Sequence, residues 1–146
     1  MPSAVMTPID VCHCQAVRQA ARWISQLYDQ QLAPAGITST QFAVLSQLDK
    51  RGAAGIVDLA QGLVMDRTTM TRTLAPLERD GLVAVTGADD DRRRKVLTLT
   101  REGRKRLAAA RPLWRRAQAA FEKHFGAQQA LAMRDLLRAV PKGLAG

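Results

Sequence analysis

The sequence has few aromatic residues, few cysteines and no long apolar segment. Phe, Trp and Tyr make up 4% of the chain, which disfavours the single-strand and RNA readers that stack bases on rows of aromatic rings. Because no run of about 18 apolar residues occurs, we expect no transmembrane helix. Residues 1–8 lack the basic and apolar regions of a signal peptide, so we expect a cytoplasmic protein. Two cysteines, Cys12 and Cys14, cannot form a disulfide framework across a fold.

The chain is long enough and apolar enough for one compact domain. Its 146 residues are 47% hydrophobic and 24% charged, a composition typical of a globular protein rather than a disordered tail. Lys and Arg number 22 against 13 Asp and Glu, which leaves a formal net charge of +9. An excess of this sign predicts a polyanionic partner, of which nucleic acid is the simplest.

The positive charge is concentrated in one segment. Residues 92–106 contain eight Lys or Arg and a single acid, Glu102, whereas residues 89–91 are all Asp. An evenly solvated surface would mix the two signs, so this segment is predicted to contact a partner. The alternative is a charged helix start that only confers solubility.

The middle of the chain has the pattern of a helix-turn-helix followed by a hairpin. Apolar residues at helical spacing predict three short helices, and a period of two then predicts two strands joined by a polar turn. The predicted helices cover about 39–50, 56–63 and 66–81, and the predicted strands cover 82–85 and 96–100. Two short helices joined by a tight turn form a helix-turn-helix. A hairpin after them makes the fold a winged helix-turn-helix, with the hairpin as the wing.

Local signals refine these boundaries. Thr38 and Gln41 predict a capping box at the first of the three helices. Residues 52–55 have glycine at both ends and are interpreted as a turn. Asp66 is predicted to be the N-cap of the third helix, and Pro76 predicts a bend late in that helix.

Longer amphipathic helices flank this middle part. An apolar stripe predicts a first helix over about 9–33, ended by Pro34, and a similar rhythm runs from 101 to 140. Pro112 predicts a kink or a break in the later segment, and Pro141 predicts its end. Because the flanking segments carry more large apolar side chains than one small lobe needs, they favour a homodimer.

The third short helix has the composition of a recognition helix. In a helix-turn-helix the second helix enters the major groove, and residues near its N-terminus reach base edges. Arginine can donate two hydrogen bonds to guanine, threonine can bond a base or a phosphate, and arginine on a wing suits a narrow minor groove. The predicted DNA contacts are Arg67, Thr68, Thr69, Thr71 and Arg72 on the helix, and Arg92, Arg93 and Arg94 at the wing tip. The alternative is an ordinary threonine-rich surface helix.

These motifs resemble those of the MarR family of bacterial winged-helix transcriptional regulators. The resemblance rests on DRTTMTRTLAPLERDGLV at 66–83 and on DDDRRRKVLTLTREG at 89–103, where an acidic and basic wing is followed by Leu99, Thr100 and Gly103. Many members carry Asp-x-Arg-Asp-x-Arg in the wing. This chain departs from that pattern, so its three wing arginines are predicted as a group.

The resemblance implies a mainly α-helical winged helix-turn-helix fold with a small β-hairpin wing (α+β), in a single domain over 1–146. Residues of about 38–100 would form the DNA-binding lobe, and residues of about 9–33 and 101–140 the dimerisation helices. It also implies a homodimer on a pseudo-palindromic operator in double-stranded DNA, most often as a repressor. In many members a small, often phenolic effector binds between the dimer helices and the lobe and shifts the population to a spacing that does not fit DNA.

Three roles are open for Cys12 and Cys14. The first is packing in a dimer. The second is redox sensing, since some members of the family carry a reactive cysteine near a helix start, where the helix dipole favours the thiolate. The third is soft-metal or arsenite binding, with His13 or His124 as a further ligand. A Cys-x-Cys pair in a regular helix directs its sulfur atoms to roughly opposite sides, which disfavours a shared metal ion.

Other classes of function are less well supported. The sequence shows no paired carboxylates on a shared face, no glycine-rich phosphate loop and no Ser/His/Asp set, so we predict neither an enzyme nor a cofactor or metal site. A basic winged-helix module that binds proteins without reading DNA sequence is a remote alternative. A steep salt dependence combined with a large preference over random duplex would discriminate against it.

Overall fold

Helices dominate the architecture of the computed structural model. The structure describes residues 5–87 and 95–144, with side chains up to residue 141. The elements are α1 (His13–Leu32), α2 (Ser39–Arg51), β1 (Ala53–Gly55), α3 (Ile56–Gly62), α4 (Arg67–Arg79), β2 (Val83–Thr86), β3 (Val96–Leu99), α5 (Arg101–Phe125) and α6 (Ala127–Leu144). None of the described helices is both long and apolar enough to cross a membrane. Arg92, Arg93 and Arg94 lie outside the described residues.

The three strands form one small antiparallel sheet in the order β1-β3-β2. The pair β2 and β3 is the predicted hairpin, with Thr86 opposite Val96 as its last described pair toward the tip. The strand β1 corrects the interpretation of 52–55 as a turn, because Ala54 pairs with Leu97 along the second edge of β3. Three residues are too short to show a period of two, so only the pairing with β3 defines this strand.

Side-chain caps fix the junction between α1 and α2. A 3-10 helix, Ala33–Ala35, follows α1, and Gly36 then takes a positive φ of 73° that ends the helical course. Thr38 Oγ1 accepts a hydrogen bond from Gln41 N at 3.1 Å, and Gln41 Oε1 accepts one from Thr38 N at 3.0 Å. The predicted capping box is therefore confirmed.

The first helix begins later than predicted. Thr7 N and Thr7 Oγ1 donate to Asp10 Oδ2 at 2.8 and 2.7 Å, and Asp10 N donates to Thr7 O at 2.9 Å. These bonds hold the preceding residues in a turn, and α1 starts only at His13, with Cys12 in an extended conformation as its N-cap.

Prolines lie inside three helices without ending them. Of the two outcomes predicted at Pro112, a break is wrong because α5 continues to Phe125, whereas a kink stays a prediction. The predicted end at Pro141 is wrong because α6 continues past this residue. In α4 the helix likewise continues beyond Pro76. Proline removes one N–H donor from a helix. At Pro112 this cost is reduced because the residue is exposed, as is Ala108, whose carbonyl would have accepted that bond and can bond water instead.

The hydrophobic core lies in residues 38–100, hereafter the lobe, and extends into the adjoining ends of α1 and α5. It contains Val44, Leu45, Leu48, Leu59, Met70, Leu74, Leu77, Leu82, Val83, Leu97 and Leu99 from the lobe, together with Leu32, Leu107 and Ala110. Helical spacing in α4 predicts that Met70, Leu74 and Leu77 face inward, and all three are buried. Phe42 of α2 also stacks on Trp114 of α5, with ring centroids 6.0 Å apart, so the long helix is packed directly on the lobe.

The motif Leu99, Thr100 and Gly103 forms the junction of three elements. Thr100 Oγ1 accepts a hydrogen bond from Gly103 N at 3.0 Å as the N-cap of α5, and donates one to Gly81 O at 2.6 Å. A Cβ built on Gly103 would lie 2.0 Å from Leu82 O and 3.2 Å from Leu99 Cδ2. Only glycine lets α5 approach the turn after α4 this closely.

We expect Gly103→Ala to lower the free energy of unfolding by about 2–3 kcal/mol, since the added methyl must displace the backbone at Leu82. The matched control is Gly62→Ala in α3, where the nearest atom to an added Cβ, at 2.9 Å, is the end of the flexible Arg51 side chain. That variant is expected to be neutral or slightly stabilising. Urea denaturation measures both, and equal stabilities of the two variants would contradict the proposed role of Gly103.

Candidate nucleic-acid interface

A carboxylate cap fixes the start of α4. Asp66 Oδ1 accepts a hydrogen bond from Thr69 N at 2.7 Å, and Asp66 Oδ2 accepts one from Thr69 Oγ1 at 3.0 Å. The bond from the Thr69 backbone, followed by that from its hydroxyl, lowers the pKa of Asp66 below its ordinary value. The predicted N-cap is confirmed, and it ends the loop that separates α3 from α4.

The exposed side chains at the start of α4 form two rows. Successive residues of a helix are rotated by about 100°. Thr71 therefore lies only about 40° from Arg67, and both side chains line a cleft beside the hairpin. Thr68 and Arg72, rotated by about 100° and 140°, form a second row, which does not line the cleft. All four residues are exposed, while Met70 and Leu74 are buried beneath them.

Two of the predicted threonines already make hydrogen bonds within the helix. Thr71 Oγ1 donates to Arg67 O at 2.9 Å, and Thr69 Oγ1 donates to Asp66. With its proton committed to the cap, Thr69 is a structural residue first and can meet DNA only as an acceptor or through its methyl group. The assignment of individual base contacts to Arg67, Thr68, Thr69, Thr71 and Arg72 stays a prediction.

The cleft between α4 and the hairpin is a feature that the sequence did not reveal. It has a volume of about 320 Å³ and is lined by Ile56, Arg67, Thr71, Leu74, Ala75, Glu78, Val85, Lys95 and Leu97. Lys95 precedes β3 at the tip end of the hairpin, and Glu78 lies near the end of α4. Sequence spacing could not place these two charges at one cleft, because the strand pairing brings them together.

A second cavity lies among α1, α5 and α6, hereafter the outer helices. Its volume is about 470 Å³, and its lining includes Tyr28, Gln118, Phe121, Leu131 and Arg134. None of its lining residues belongs to the lobe, so it differs in place from the effector site that the resemblance implies, between the dimer helices and the lobe.

Tyr28 is the polar anchor of this interhelical cavity. Its hydroxyl donates a hydrogen bond to Gln118 Oε1. Burial, together with the nearby Glu122 carboxylate, raises the pKa of Tyr28, and Arg134 opposes this shift. The phenol is therefore neutral at physiological pH. Ninety residues separate Tyr28 from Gln118, so no local sequence signal could have paired them.

The two cysteines lie on either side of the first residue of α1. Cys12 is half-buried at the N-cap, Cys14 is exposed, and both are free thiols. Because Cys12 precedes the regular helix, helical rotation does not fix the direction of its sulfur relative to that of Cys14. Among residues 5–87 and 95–144, no three His, Cys, Asp or Glu side chains form a group that could hold a metal ion.

Comparison with known proteins identifies the family. The sequence model of the MarR family matches residues 37–95, which contain the helix-turn-helix and the hairpin. The transcriptional regulator HosA of Escherichia coli is 30% identical over 121 residues, covering 83% of this chain and 84% of that protein. The chain belongs to the MarR family. Its relatives are transcriptional regulators and its fold is that of a winged helix. The protein is therefore a regulator and not an enzyme.

Further similarities link this MarR-family chain to DNA-binding proteins. The crystal structure of the Mycobacterium tuberculosis regulator MosR in complex with DNA has a TM-score of 0.76 and 37% identity, covering 90% of this chain and 97% of that one. The transcriptional activatory protein BadR of Rhodopseudomonas palustris is 34% identical over 89 residues. That alignment covers 59% of this chain and spans about half (51%) of BadR.

The Asp66 cap makes the stability of α4 dependent on pH. Because its pKa is lowered in the folded state, Asp66 stabilises the fold above the ordinary carboxyl pKa of about 4, and this contribution is lost as pH falls through the lowered value. We expect Asp66→Ala to melt at a lower temperature than the wild type at pH 7, and the difference to close in acid. Asp66→Asn keeps an acceptor that does not titrate and is the matched control. Thermal melts from pH 7 to pH 2 measure this, and an unchanged difference at every pH would contradict it.

Proposed function

We propose that this MarR-family regulator binds a specific pseudo-palindromic operator as a homodimer and represses transcription until a small molecule releases it. The observation that supports DNA reading most directly is the exposed start of α4, where Thr68 and Arg72 lie opposite the buried face of the helix. A helix in this position enters the major groove with its N-terminal residues at the base edges. The partner is double-stranded DNA, which places the protein in the cytoplasm.

Apolar exposure supports the homodimer. Of the large hydrophobic residues that are exposed in the described part of the chain, only Val57 and Val64 belong to the lobe, and the others lie on the outer helices or just before α1. Trp23 is 75% exposed and Leu136 is 72% exposed. Such a concentration of apolar surface on one part of a molecule is typical of an interface. A two-fold axis through the outer helices would cover it and place two copies of α4 on one face.

We expect Leu136→Glu to convert a dimer of about 32 kDa, twice the 16.0 kDa chain, into monomers. A buried carboxylate without a partner costs several kcal/mol, which weakens the dimer by about a hundredfold or more. The matched control is Gln128→Glu, which adds the same charge to an exposed position of α6. Light scattering coupled to size exclusion measures the mass, and a Leu136→Glu variant that stays dimeric would exclude this face of α6 from the interface.

Arg72 is predicted to read a base. Its side chain is exposed and does not line the cleft, and arginine pairs with guanine through two hydrogen bonds. We expect Arg72→Ala to weaken operator binding by about 1–3 kcal/mol and to relax preference at one base pair in each half-site. Arg79→Ala, at the opposite end of α4, is the matched control. Anisotropy on single-base operator variants measures the preference, and an equal loss on every sequence would make Arg72 a phosphate contact instead.

The interhelical cavity supports release by a small molecule. Its apolar walls, the neutral Tyr28 phenol and the Arg134 guanidinium suit an aromatic ring that carries a hydroxyl or a carboxylate. Leu131 and Leu137 line the cavity and are also exposed, so in a homodimer the partner would close over them. A ligand bound there could change the angle between the two lobes, provided that it binds one spacing better than the other.

The positions of the cysteines favour a second candidate signal. Cys12 and Cys14 are separated by one residue, His13, at the start of α1, and Cys14 is exposed. A hydroperoxide could oxidise the two thiols to a disulfide, with its O–O bond reduced to an alcohol and water. Such a bond would distort the first turn of α1, which belongs to the proposed interface.

One experiment separates the two signals. Anisotropy on DNA from upstream of the gene, compared with a scrambled duplex, is measured with phenolic acids and with hydroperoxide followed by dithiothreitol. If the cavity senses the signal, phenolic acids release the DNA, and Tyr28→Phe weakens their effect but not that of hydroperoxide. If the cysteines sense it, oxidation releases the DNA, the reductant restores binding, and Cys12→Ser or Cys14→Ser abolishes the response. If neither the phenolic acids nor hydroperoxide releases the DNA, both candidate signals are contradicted, whereas DNA binding itself is not.

A further inference from the structure

The cleft between α4 and the hairpin has the position of a DNA backbone in the proposed complex. A recognition helix lies in the major groove, and a wing of arginines enters the neighbouring minor groove. One sugar-phosphate backbone separates two adjacent grooves of a duplex. Whatever lies between α4 and the hairpin must therefore face that backbone, and this is the position of the cleft.

The chemistry of the cleft fits this occupant. Its floor is made by apolar side chains such as Leu74 and Val85, which can contact the carbon face of deoxyribose. Cationic side chains line it from both walls: Arg67 comes from the first turn of α4 and Lys95 from the tip end of the hairpin. Thr71 adds a hydroxyl. A phosphate prefers cationic partners, and the cleft would place it between two of them.

Glu78 is the exception in this lining. It is exposed and lies eleven residues after Arg67, about 16 Å further along the helix axis. A carboxylate at that end of the cleft repels phosphates without reaching a base. Its expected effect is to lower the affinity for every duplex equally.

We propose that this cleft holds one DNA backbone segment in each half-site, with Lys95 contacting a phosphate and Glu78 limiting the affinity that this contact provides. The proposal rests on the proposed function and adds two residues to it, neither of which reads sequence. Lys95 sets the position of the hairpin on the backbone, and Glu78 keeps non-specific binding weak.

The test is the salt dependence of binding, measured by anisotropy on operator and on scrambled duplex. Each phosphate contact on B-DNA contributes about 0.9 to the slope of log K against log salt. We expect Lys95→Gln to reduce the slope by about 0.9 for each half-site and to weaken binding by about tenfold per half-site at 0.1 M salt, equally on both duplexes. Lys95→Arg keeps the charge and is expected to restore the slope.

Glu78→Gln is expected to change affinity in the opposite direction. Removal of one repulsion at about 10 Å strengthens binding to both duplexes by about twofold at low salt, and this gain disappears as salt screens the charge. The ratio of operator to scrambled affinity stays constant. Lys123→Gln is the matched control for charge, since it lies near the end of α5, about 33 Å along the helix from its first residue, and should leave the slope unchanged.

The outcomes separate this inference from the proposed function. A wild-type slope for Lys95→Gln would overturn the phosphate contact, even if the wild type prefers its operator. A loss for Lys95→Gln on operator alone would also overturn it, because a backbone contact acts on every sequence. If the wild type shows no preference for any operator, specific reading fails, yet the slopes on scrambled duplex still decide the role of the cleft. Circular dichroism spectra that match the wild type show that the substitutions leave the fold intact.

Discussion

The close approach of α5 to the turn after α4 is the constraint on which the rest of the structure depends. Gly103 packs against the carbonyl of Leu82, and Thr100 bonds both to Gly81 O and to Gly103 N. This one contact joins the end of the recognition helix, the start of the hairpin and the start of the long helix. The orientation of α4 relative to the outer helices is therefore set by the contact between Gly103 and Leu82, at which only glycine fits.

Two further contacts allow a movement of the outer helices to be transmitted to the lobe. Asp29 in α1 accepts a hydrogen bond from Ser39 N at the start of α2, at 2.7 Å, and Arg111 in α5 pairs with Asp49 in α2 at 2.6 Å. The ion pair is about half exposed and contributes little stability by itself. Both contacts nevertheless join an outer helix to the lobe. A change in the angle of the outer helices has to displace α2, and through the shared core it has to displace α4.

The candidate site combines groups suited to reading bases with a negative charge that limits non-specific DNA binding. In the proposed complex, Thr68 and Arg72 offer hydrogen-bonding groups to base edges, whereas the row that faces the hairpin, with Lys95 opposite it, offers charge to a backbone. Charge alone gives affinity for any duplex, and an excess of +9 would hold the protein on non-specific DNA. The proposed role of Glu78 in the cleft is to reduce that excess close to the proposed DNA-binding surface. Selectivity then depends on the few residues that reach bases.

The sequence by itself determined the order of the elements, the caps at Thr38 and Asp66, and the buried face of α4, because these depend on local spacing and on hydrogen bonds between near neighbours. It misjudged Pro141 and did not decide between a kink and a break at Pro112, since helix propensity yields to packing and to solvent at exposed carbonyls. Only the tertiary structure decided the strand β1, the pairing of Tyr28 with Gln118, and the cleft that brings Lys95 to α4. Those features join residues far apart in the chain, and their geometry depends on how whole elements pack, which no local pattern encodes.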